Sequence, residues 1–174
     1  MKENVLLVDE KDQLLGKMEK IEAHEKGLLH RAFSVFVYND QNELLLQKRA
    51  ESKYHTPGLW TNTCCSHQRE NESNIEAGKR RLQEEMGFTT DLENQFSFIY
   101  KAPFSNGLTE HEYDHILIGY YNGQPKPNPE EVADWKWMSL DEIEKDLHQH
   151  PDRYTAWFKI LSEKYLAELK NNLK

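Results

Sequence analysis

Short apolar runs alternate with polar turns along most of the chain, a pattern that predicts several strands and fewer helices. Residues 5–18 read as a hairpin, because apolar runs at 5–8 and 14–15 flank the polar turn Asp9-Glu10-Lys11-Asp12. A second hairpin is predicted where Phe33-Ser34-Val35-Phe36-Val37-Tyr38 and Glu43-Leu44-Leu45-Leu46-Gln47, both strand-like, meet through the turn chemistry of Asn39-Asp40-Gln41-Asn42. Further strands are expected at 96–101, 114–121 and 132–138, the last two separated by a proline-punctuated loop at 124–129.

Helices announce themselves by their ends. Ser73-Asn74-Ile75-Glu76 has the form of a capping box, and Met86-Gly87 places a glycine where a left-handed cap is wanted, so a helix is predicted over 74–86. Ser139-Leu140-Asp141-Glu142 starts another. In the tail, 154–173, Trp157, Leu161, Tyr165 and Leu169 recur every fourth position and give a C-terminal helix one apolar face. Strands mixed with a few helices imply an α/β or α+β sandwich, with strand order left open.

At 174 residues and 37% hydrophobic content, the chain suits one buried core and hence one domain over 1–174. No stretch approaches the roughly 20 apolar residues of a membrane span, and residues 1–15 lack the apolar core of a signal peptide, so a cytoplasmic protein is expected. The formal charge of −8 argues against nucleic acid or an anionic membrane as partner. An anionic substrate would need a local cluster of Lys and Arg. Cys64 and Cys65 are adjacent and offer no disulfide framework.

Candidate chemistry sits in three clusters. In Thr61-Asn62-Thr63-Cys64-Cys65-Ser66-His67, an extended backbone points Cys65 and His67 to one side. A Cys so placed suits a nucleophile, a metal ligand or an acid–base group, the alternative being a small buried apolar residue beside a surface His. His24 and His30 lie upstream, and Glu110-His111-Glu112 lies downstream, where the two carboxylates share a face if extended. Such imidazoles and carboxylates would suit Zn, Mn or Fe if they met in space, although Glu-x-Glu alone is usually solvated surface. On the helix at 74–86, Arg81 and Glu85 are i and i+4, either a surface ion pair or a place where Glu85 holds Mg²⁺ on a diphosphate whose oxygens Arg81 binds.

That segment resembles the Nudix box, Gly-x5-Glu-x7-Arg-Glu-U-x-Glu-Glu-x-Gly-U with U apolar, across 66–88. Glu72, Arg80, Leu82, Glu84, Glu85, Gly87 and Phe88 fall in register, while Ser66 takes the first Gly position and Arg81 replaces the Glu of the Arg-Glu pair. Exchanging a carboxylate for a cation argues against hydrolysis, which needs several carboxylates to gather metal around a pyrophosphate. The fold can persist while the chemistry changes.

Within that superfamily the blocks Gly27-Leu28-Leu29-His30-Arg31-Ala32-Phe33-Ser34, 61–67, Glu110-His111-Glu112 and Trp157-Phe158-Lys159 are similar to type I isopentenyl-diphosphate isomerases, over about 5–161. The resemblance implies a Nudix-like sandwich, a mixed sheet flanked by helices, with an extra N-terminal hairpin and C-terminal helix. It implies a catalytic divalent metal, Zn²⁺ or Mn²⁺, on His24, His30, His67, Glu110 and Glu112, and a substrate-bound Mg²⁺ at Glu85, aided by the Cys65 carbonyl; no flavin is expected. Lys20, Arg49, Lys53 and Arg81 match positions that hold the diphosphate. Cys65 and Glu112 match the acid–base groups, with Tyr100 as hydrogen-bonding partner, and Trp157 matches an aromatic wall over the carbon skeleton. The expected reaction interconverts isopentenyl and dimethylallyl diphosphate in isoprenoid biosynthesis through a tertiary carbocation, which an indole face stabilises by roughly 2 kcal/mol when desolvated. A monomer or weak dimer is expected. The alternatives are a Nudix hydrolase of a nucleoside or other diphosphate, and a non-catalytic metal or ligand-binding module.

Overall fold

In the computed structural model, which describes residues 3–53, 56–104, 106–171 and 173, the chain begins with the predicted hairpin, β1 (Asn4–Val8) and β2 (Leu14–Glu19). Met1 and Lys2 of the N-terminal stretch, and Asn172 of the tail, lie outside the described residues. Asp9 makes the turn by accepting from the backbone N–H groups of Lys11 and Gln13 at 2.8 and 2.9 Å. The strands are where the pattern puts them, but Leu14 and Leu15 are 57% and 69% exposed, so β2 offers its leucines to solvent and not to a core.

A short helix that the apolar pattern does not predict follows, α1 (Lys20–Lys26). The Glu19 carboxylate caps it by accepting from the N–H of Ile21 and Glu22, and Gly27 ends it at φ 63°. Its buried residues are Ala23 and His24, too few for an apolar stripe to show in the sequence.

The second predicted hairpin, β3 (His30–Tyr38) and β4 (Glu43–Arg49), turns through Asn39, whose Oδ1 accepts from the N–H of Gln41 and Glu43. The two strands then diverge, paired only at Tyr38 and Leu44. Next come the short strands β5 (Trp60–Thr61) and β6 (Cys64–Ser66), the helix α2 (Asn74–Met86), and strands β7 (Leu92–Pro103), β8 (Thr109–Tyr120) and β9 (Val132–Ser139). The helices α3 (Leu140–Gln149) and α4 (Ala156–Asn171) end the chain. β3 pairs in parallel with β8 along its whole length, β4 pairs with β9 and β5, and β7 pairs with β8. The sheet is therefore mixed, with nine strands among the described residues. No helix among them is long and apolar enough to cross a membrane.

Alternation along β3 divides the interior into two layers. Phe33, Val35 and Val37 face α2, packing with Ala77, Leu82 and Met86. Phe36 and Tyr38 face the other way, against Trp157, Phe158 and Leu161 of α4 and Leu140 and Ile143 of α3. Leu82 and Met86 are fully buried, each contributing about 2–3 kcal/mol of apolar burial. The capping box of α2 is complete, with Ser73 accepting from Glu76 N–H and Glu76 accepting from Ser73 N–H. α4 begins two residues after the start of the predicted segment, because Tyr154 bridges to Trp60 in extended form and the Thr155 hydroxyl accepts from Phe158 N–H.

On the α4 side of the sheet, apolar positions give way to polar ones toward one end. Along β8, Ile116 and Ile118 belong to the core, whereas Asp114, Glu112 and Glu110, at the same alternate positions, do not. Along β3 the change falls between Phe36 and Ser34. The core thus opens into a polar cavity without a break in the sheet.

Candidate active site

Strand register assembles the centre of this cavity. Glu112 on β8 lies opposite His30 of β3 on one side and Tyr100 of β7 on the other, so three strands line up an imidazole, a carboxylate and a phenol. His30 Nε2 is 3.2 Å from Glu112 Oε2, and His67 Nε2, just beyond β6, is 2.8 Å from the same oxygen. α1 brings in His24, with ring centroids 4.9 Å from His30 and 6.0 Å from His67. One donor atom from each of His24, His30, His67 and Glu112 falls within 4.8 Å of all the others. Residues 24 to 112 in sequence are thereby drawn into one cluster, which the sequence could only list as separate motifs.

The donor set fits a divalent cation. His24 Nδ1 faces the Lys20 carbonyl oxygen at 2.6 Å, and His30 Nδ1 faces the Leu28 carbonyl oxygen at 2.9 Å. A carbonyl only accepts, so both Nδ1 atoms carry hydrogen and both Nε2 atoms are turned to the cluster, the arrangement of imidazoles that ligate metal through Nε2. Glu110 stands one step away, 3.9 Å from His24 Nε2, with its Oε2 accepting from the Tyr100 hydroxyl at 2.7 Å. The Tyr100 hydroxyl also contacts Glu112 Oε1.

Burial and charge oppose each other here. Burial would raise the Glu112 carboxyl, but hydrogen bonds and charges from His30 and His67 carry it well below the usual carboxylate range. Burial lowers His67 to about 4 and also lowers His24. For His30, burial is outweighed by its bond to Glu112 and the shift is upward. Burial together with the charges of Glu110 and Glu112 pushes the Tyr100 phenol well up. Tyr100 is therefore a donor shared by two carboxylates.

Cys65 faces this cavity while Cys64 faces the α2 layer, as alternation along β6 requires. Cys65 Sγ lies 3.1 Å from Asn62 Oδ1 and 3.5 Å from Ser34 Oγ. Burial, with the Asp114 charge adding to it, raises the Cys65 thiol, and burial likewise raises Asp114. Cys64 is fully buried and donates to Glu85 Oε2 at 2.9 Å.

Four cations line the cavity, and three of them, Lys20, Lys53 and Arg81, have acidic neighbours. Lys20 is 3.2 Å from Glu3. Arg81 reaches Glu84 at 2.7 Å, Glu131 at 3.3 Å and Glu85 at 3.7 Å. Lys53 contacts the same Glu131 oxygen, Oε2. Although burial would raise Glu131, Lys53 and Arg81 hold it below the usual carboxylate range. Arg49 lies over the Trp157 ring at 5.3 Å, and both line the cavity. Lys20, Arg49, Lys53, Arg81, Glu85, Cys65, His67, Glu110, Glu112 and Trp157 all border it. Among the sequence candidates, His24, His30 and Tyr100 stand behind that lining, in contact with its carboxylates.

Sequence reasoning gave no role to Glu3, Ser34, Asn62, Asp114 or Glu131. Asp114 had a signal, since it continues the alternation of Glu110 and Glu112 on one strand face. Glu131 had none, because a glutamate after a proline-rich loop is ordinary surface chemistry.

The NUDIX domain family pattern matches residues 28–158. Isopentenyl-diphosphate Delta-isomerase 2 of Aromatoleum aromaticum is 48% identical over 157 residues, covering 90% of this chain and 83% of that protein. The isopentenyl-diphosphate Delta-isomerase of Aliivibrio fischeri strain MJ11 is 51% identical over 180 aligned positions, covering 97% and 98%. In structure, a crystallised Deinococcus radiodurans protein superposes with a TM-score of 0.76 at 19% identity, covering 93% of this chain and 98% of that one. A MutT protein from Methanosarcina mazei gives 0.65 at 20% identity, covering 83% and 96%. At those identities the structural likeness speaks for the fold.

Proposed function

Because the chain belongs to the isopentenyl-diphosphate isomerases of the NUDIX superfamily, it interconverts isopentenyl and dimethylallyl diphosphate, and we propose that Cys65 and the Glu112–Tyr100 pair carry the two proton transfers. The observation that carries this assignment is that the thiol, the carboxylate and the indole of Trp157 border one cavity that Lys20, Arg49, Lys53 and Arg81 also line. Adding a proton to one alkene carbon leaves a tertiary carbocation, and losing one from the allylic neighbour restores the double bond at its new place. In the forward direction the Glu112–Tyr100 pair gives a proton to the alkene carbon and Cys65, as the thiolate, takes one from the allylic carbon and becomes the thiol; the back reaction reverses both transfers. Glu112 Oε2 is engaged by His30 and His67, which leaves Oε1 and the Tyr100 hydroxyl as the atoms that handle the proton.

His24, His30, His67 and Glu112, with Glu110 beside them, are the residues that would hold the catalytic Zn²⁺ or Mn²⁺. A bound divalent cation supplies charge that keeps Glu112 fixed and its buried surroundings neutralised. Glu85, with the Cys65 carbonyl, is the proposed place for Mg²⁺ carried by the diphosphate, while Lys20, Arg49, Lys53 and Arg81 grip phosphate oxygens. Substrate must then displace Glu131 from Lys53 and Arg81, and Glu3 from Lys20. Trp157 walls the carbon skeleton from water, and its ring already accepts a cation, Arg49, on its face.

The net charge of −8 supports a small free diphosphate as partner, over nucleic acid or an anionic membrane. We take residues 1–174 as a single NUDIX-type domain that acts as a monomer or weak dimer in the cytoplasm. Hydrolysis is disfavoured, because Arg81 stands where the box of a hydrolase has a carboxylate. The assignment is tested by the variants Cys65→Ala and Glu112→Gln: both should bind pyrophosphate like the parent but lose about a thousand-fold or more in kcat. Full turnover by either one removes that residue from the chemistry.

A further inference from the structure

Resting on the assignment of Glu85 to the Mg²⁺ of the substrate, we propose that Cys64 is a positioning residue, a buried thiol whose one hydrogen fixes the orientation of the Glu85 carboxylate. The two adjacent cysteines then serve opposite faces of one strand. β6 turns Cys65 to the cavity and Cys64 to the α2 side, where it belongs to the apolar cluster of Val35, Ala77 and Leu82. Glu85 reaches into the same region at 3% exposure while also bordering the cavity. A buried charge left without a partner is costly, so its contacts carry weight. Cys64 Sγ lies 2.9 Å from Glu85 Oε2, and Arg81 Nη2 lies 3.7 Å from Oε1. Among the described residues, the thiol is the one hydrogen-bond donor to this carboxylate.

Of the two groups it is the carboxylate that faces a cation, and a thiolate beside it would set two anions in contact inside an apolar layer. Glu85 therefore holds the charge and the sulfur holds the hydrogen. The two carboxylate oxygens are given different tasks: Oε2 is taken by the thiol, and Oε1, on the Arg81 side, is left to a cation. A link of this kind is needed because the proposed Mg²⁺ donors come from two elements, Glu85 from α2 and the Cys65 carbonyl from β6. Backbone bonds hold each element, through Asn128 N–H to Glu85 O at 2.9 Å and through the pairing of β6 with β3. They do not hold the carboxylate, because the last torsion of a glutamate is broad and lacks the three staggered wells of an alkyl chain. The Cys64 hydrogen supplies that restraint. It ties the carboxylate to the residue next to the Cys65 carbonyl, so both donors keep one fixed relation. Removing an outer partner of a metal ligand weakens metal affinity about 10- to 100-fold.

Valine fills the place of the thiol without a donor, and serine restores a donor there. The test is titration calorimetry of pyrophosphate into full-length protein whose histidine cluster already holds Zn²⁺, with and without Mg²⁺. The parent should bind pyrophosphate more tightly when Mg²⁺ is present. In Cys64→Val that gain should shrink about ten-fold, and Cys64→Ser should recover most of it. Pyrophosphate without Mg²⁺, held by the Lys and Arg side chains, should bind Cys64→Val within about two-fold of the parent. A second readout needs no ligand. The S–H stretching band of Cys64, identified by its disappearance in Cys64→Val, should move to higher frequency in Glu85→Gln, where the charged acceptor is lost. Equal Mg²⁺ gains in the parent and Cys64→Val, equal losses in Cys64→Val and Cys64→Ser, or an unmoved band in Glu85→Gln overturns the proposal. A parent that gains nothing from Mg²⁺ would instead overturn the assignment of Glu85 to that cation, and the band would still decide whether the thiol holds the carboxylate.

Discussion

Replacing Gly87 with alanine tests how the C-terminal end of α2 is tied to the site. Gly87 has φ 73°, and a Cβ added there would lie 2.2 Å from the Lys126 carbonyl oxygen and 2.9 Å from the Lys126 carbonyl carbon and Cβ. The left-handed conformation alone costs alanine about 1–2 kcal/mol. The clash is with backbone, so it is relieved only if residue 126 withdraws. That strains two hydrogen bonds, Lys126 N–H to Met86 O and Asn128 N–H to Glu85 O, both 2.9 Å, at about 1 kcal/mol each. The sum is about 3–4 kcal/mol, or a fall in Tm of roughly 6–16 °C for a chain of this size. Because the second bond ends on Glu85, the residue proposed to hold the substrate's Mg²⁺, diphosphate binding should weaken too. Thermal and urea melting beside Gly16→Ala provides the assay, since nothing lies within 4 Å of a Cβ at Gly16 and its backbone is not left-handed. The control should change by less than about 0.5 kcal/mol. A loss below about 1 kcal/mol in Gly87→Ala would refute the reasoning.

Metal-free protein given Zn²⁺ or Mn²⁺ at a hundred times Kd should gain about 2.7 kcal/mol, or roughly 5–11 °C in Tm, and His30→Ala should erase most of that gain; an unchanged parent Tm would count against the cluster as a cation site. Glu131→Gln should lower KM for isopentenyl diphosphate about five-fold with kcat little changed, because Lys53 and Arg81 lose a competing anion, whereas a raised KM would mark Glu131 as a ligand of the substrate's cation. Glu72 shows how pH enters. Burial would raise its carboxyl, but Arg80, bonded at 2.7 and 2.9 Å, lowers it. A depressed folded pKa gives stability that is complete above the unfolded value and fades as pH falls through the folded one. The stability gap between parent and Glu72→Gln, followed by urea melting, should therefore be full at neutral pH and close in acid; a gap independent of pH would contradict the pairing.

Elements with local signals were legible from the sequence. The helix predicted over 74–86 is α2 with the same bounds, because its capping box and terminal glycine are set by adjacent residues. The first hairpin was legible whole, with β1 and β2 pairing along their length, whereas the second was legible as a turn but not as a pair of sheet neighbours. Asn39 makes the turn after β3, yet β3 spends its length beside β8, some eighty residues away, a pairing that no local pattern encodes. α1 escaped because it buries one alanine and one histidine in place of an apolar stripe. For the site, residue types with strong chemistry, such as His30, Cys65 and Glu112, stood out, while their convergence depended on the parallel β3–β8 register. Ser34 was invisible because a serine in a strand gains meaning here only from burial, while Asp114 was signalled only by its place in the alternation of Glu110 and Glu112.

The most direct test of the isomerase function and its proton chemistry is proton NMR of isopentenyl diphosphate with the metal-loaded protein in D₂O. Growth of dimethylallyl signals, with deuterium entering the product at the newly formed methyl group, is the predicted result. Unchanged olefinic signals despite a filled metal site, or release of phosphate with no shift of the double bond, would contradict it.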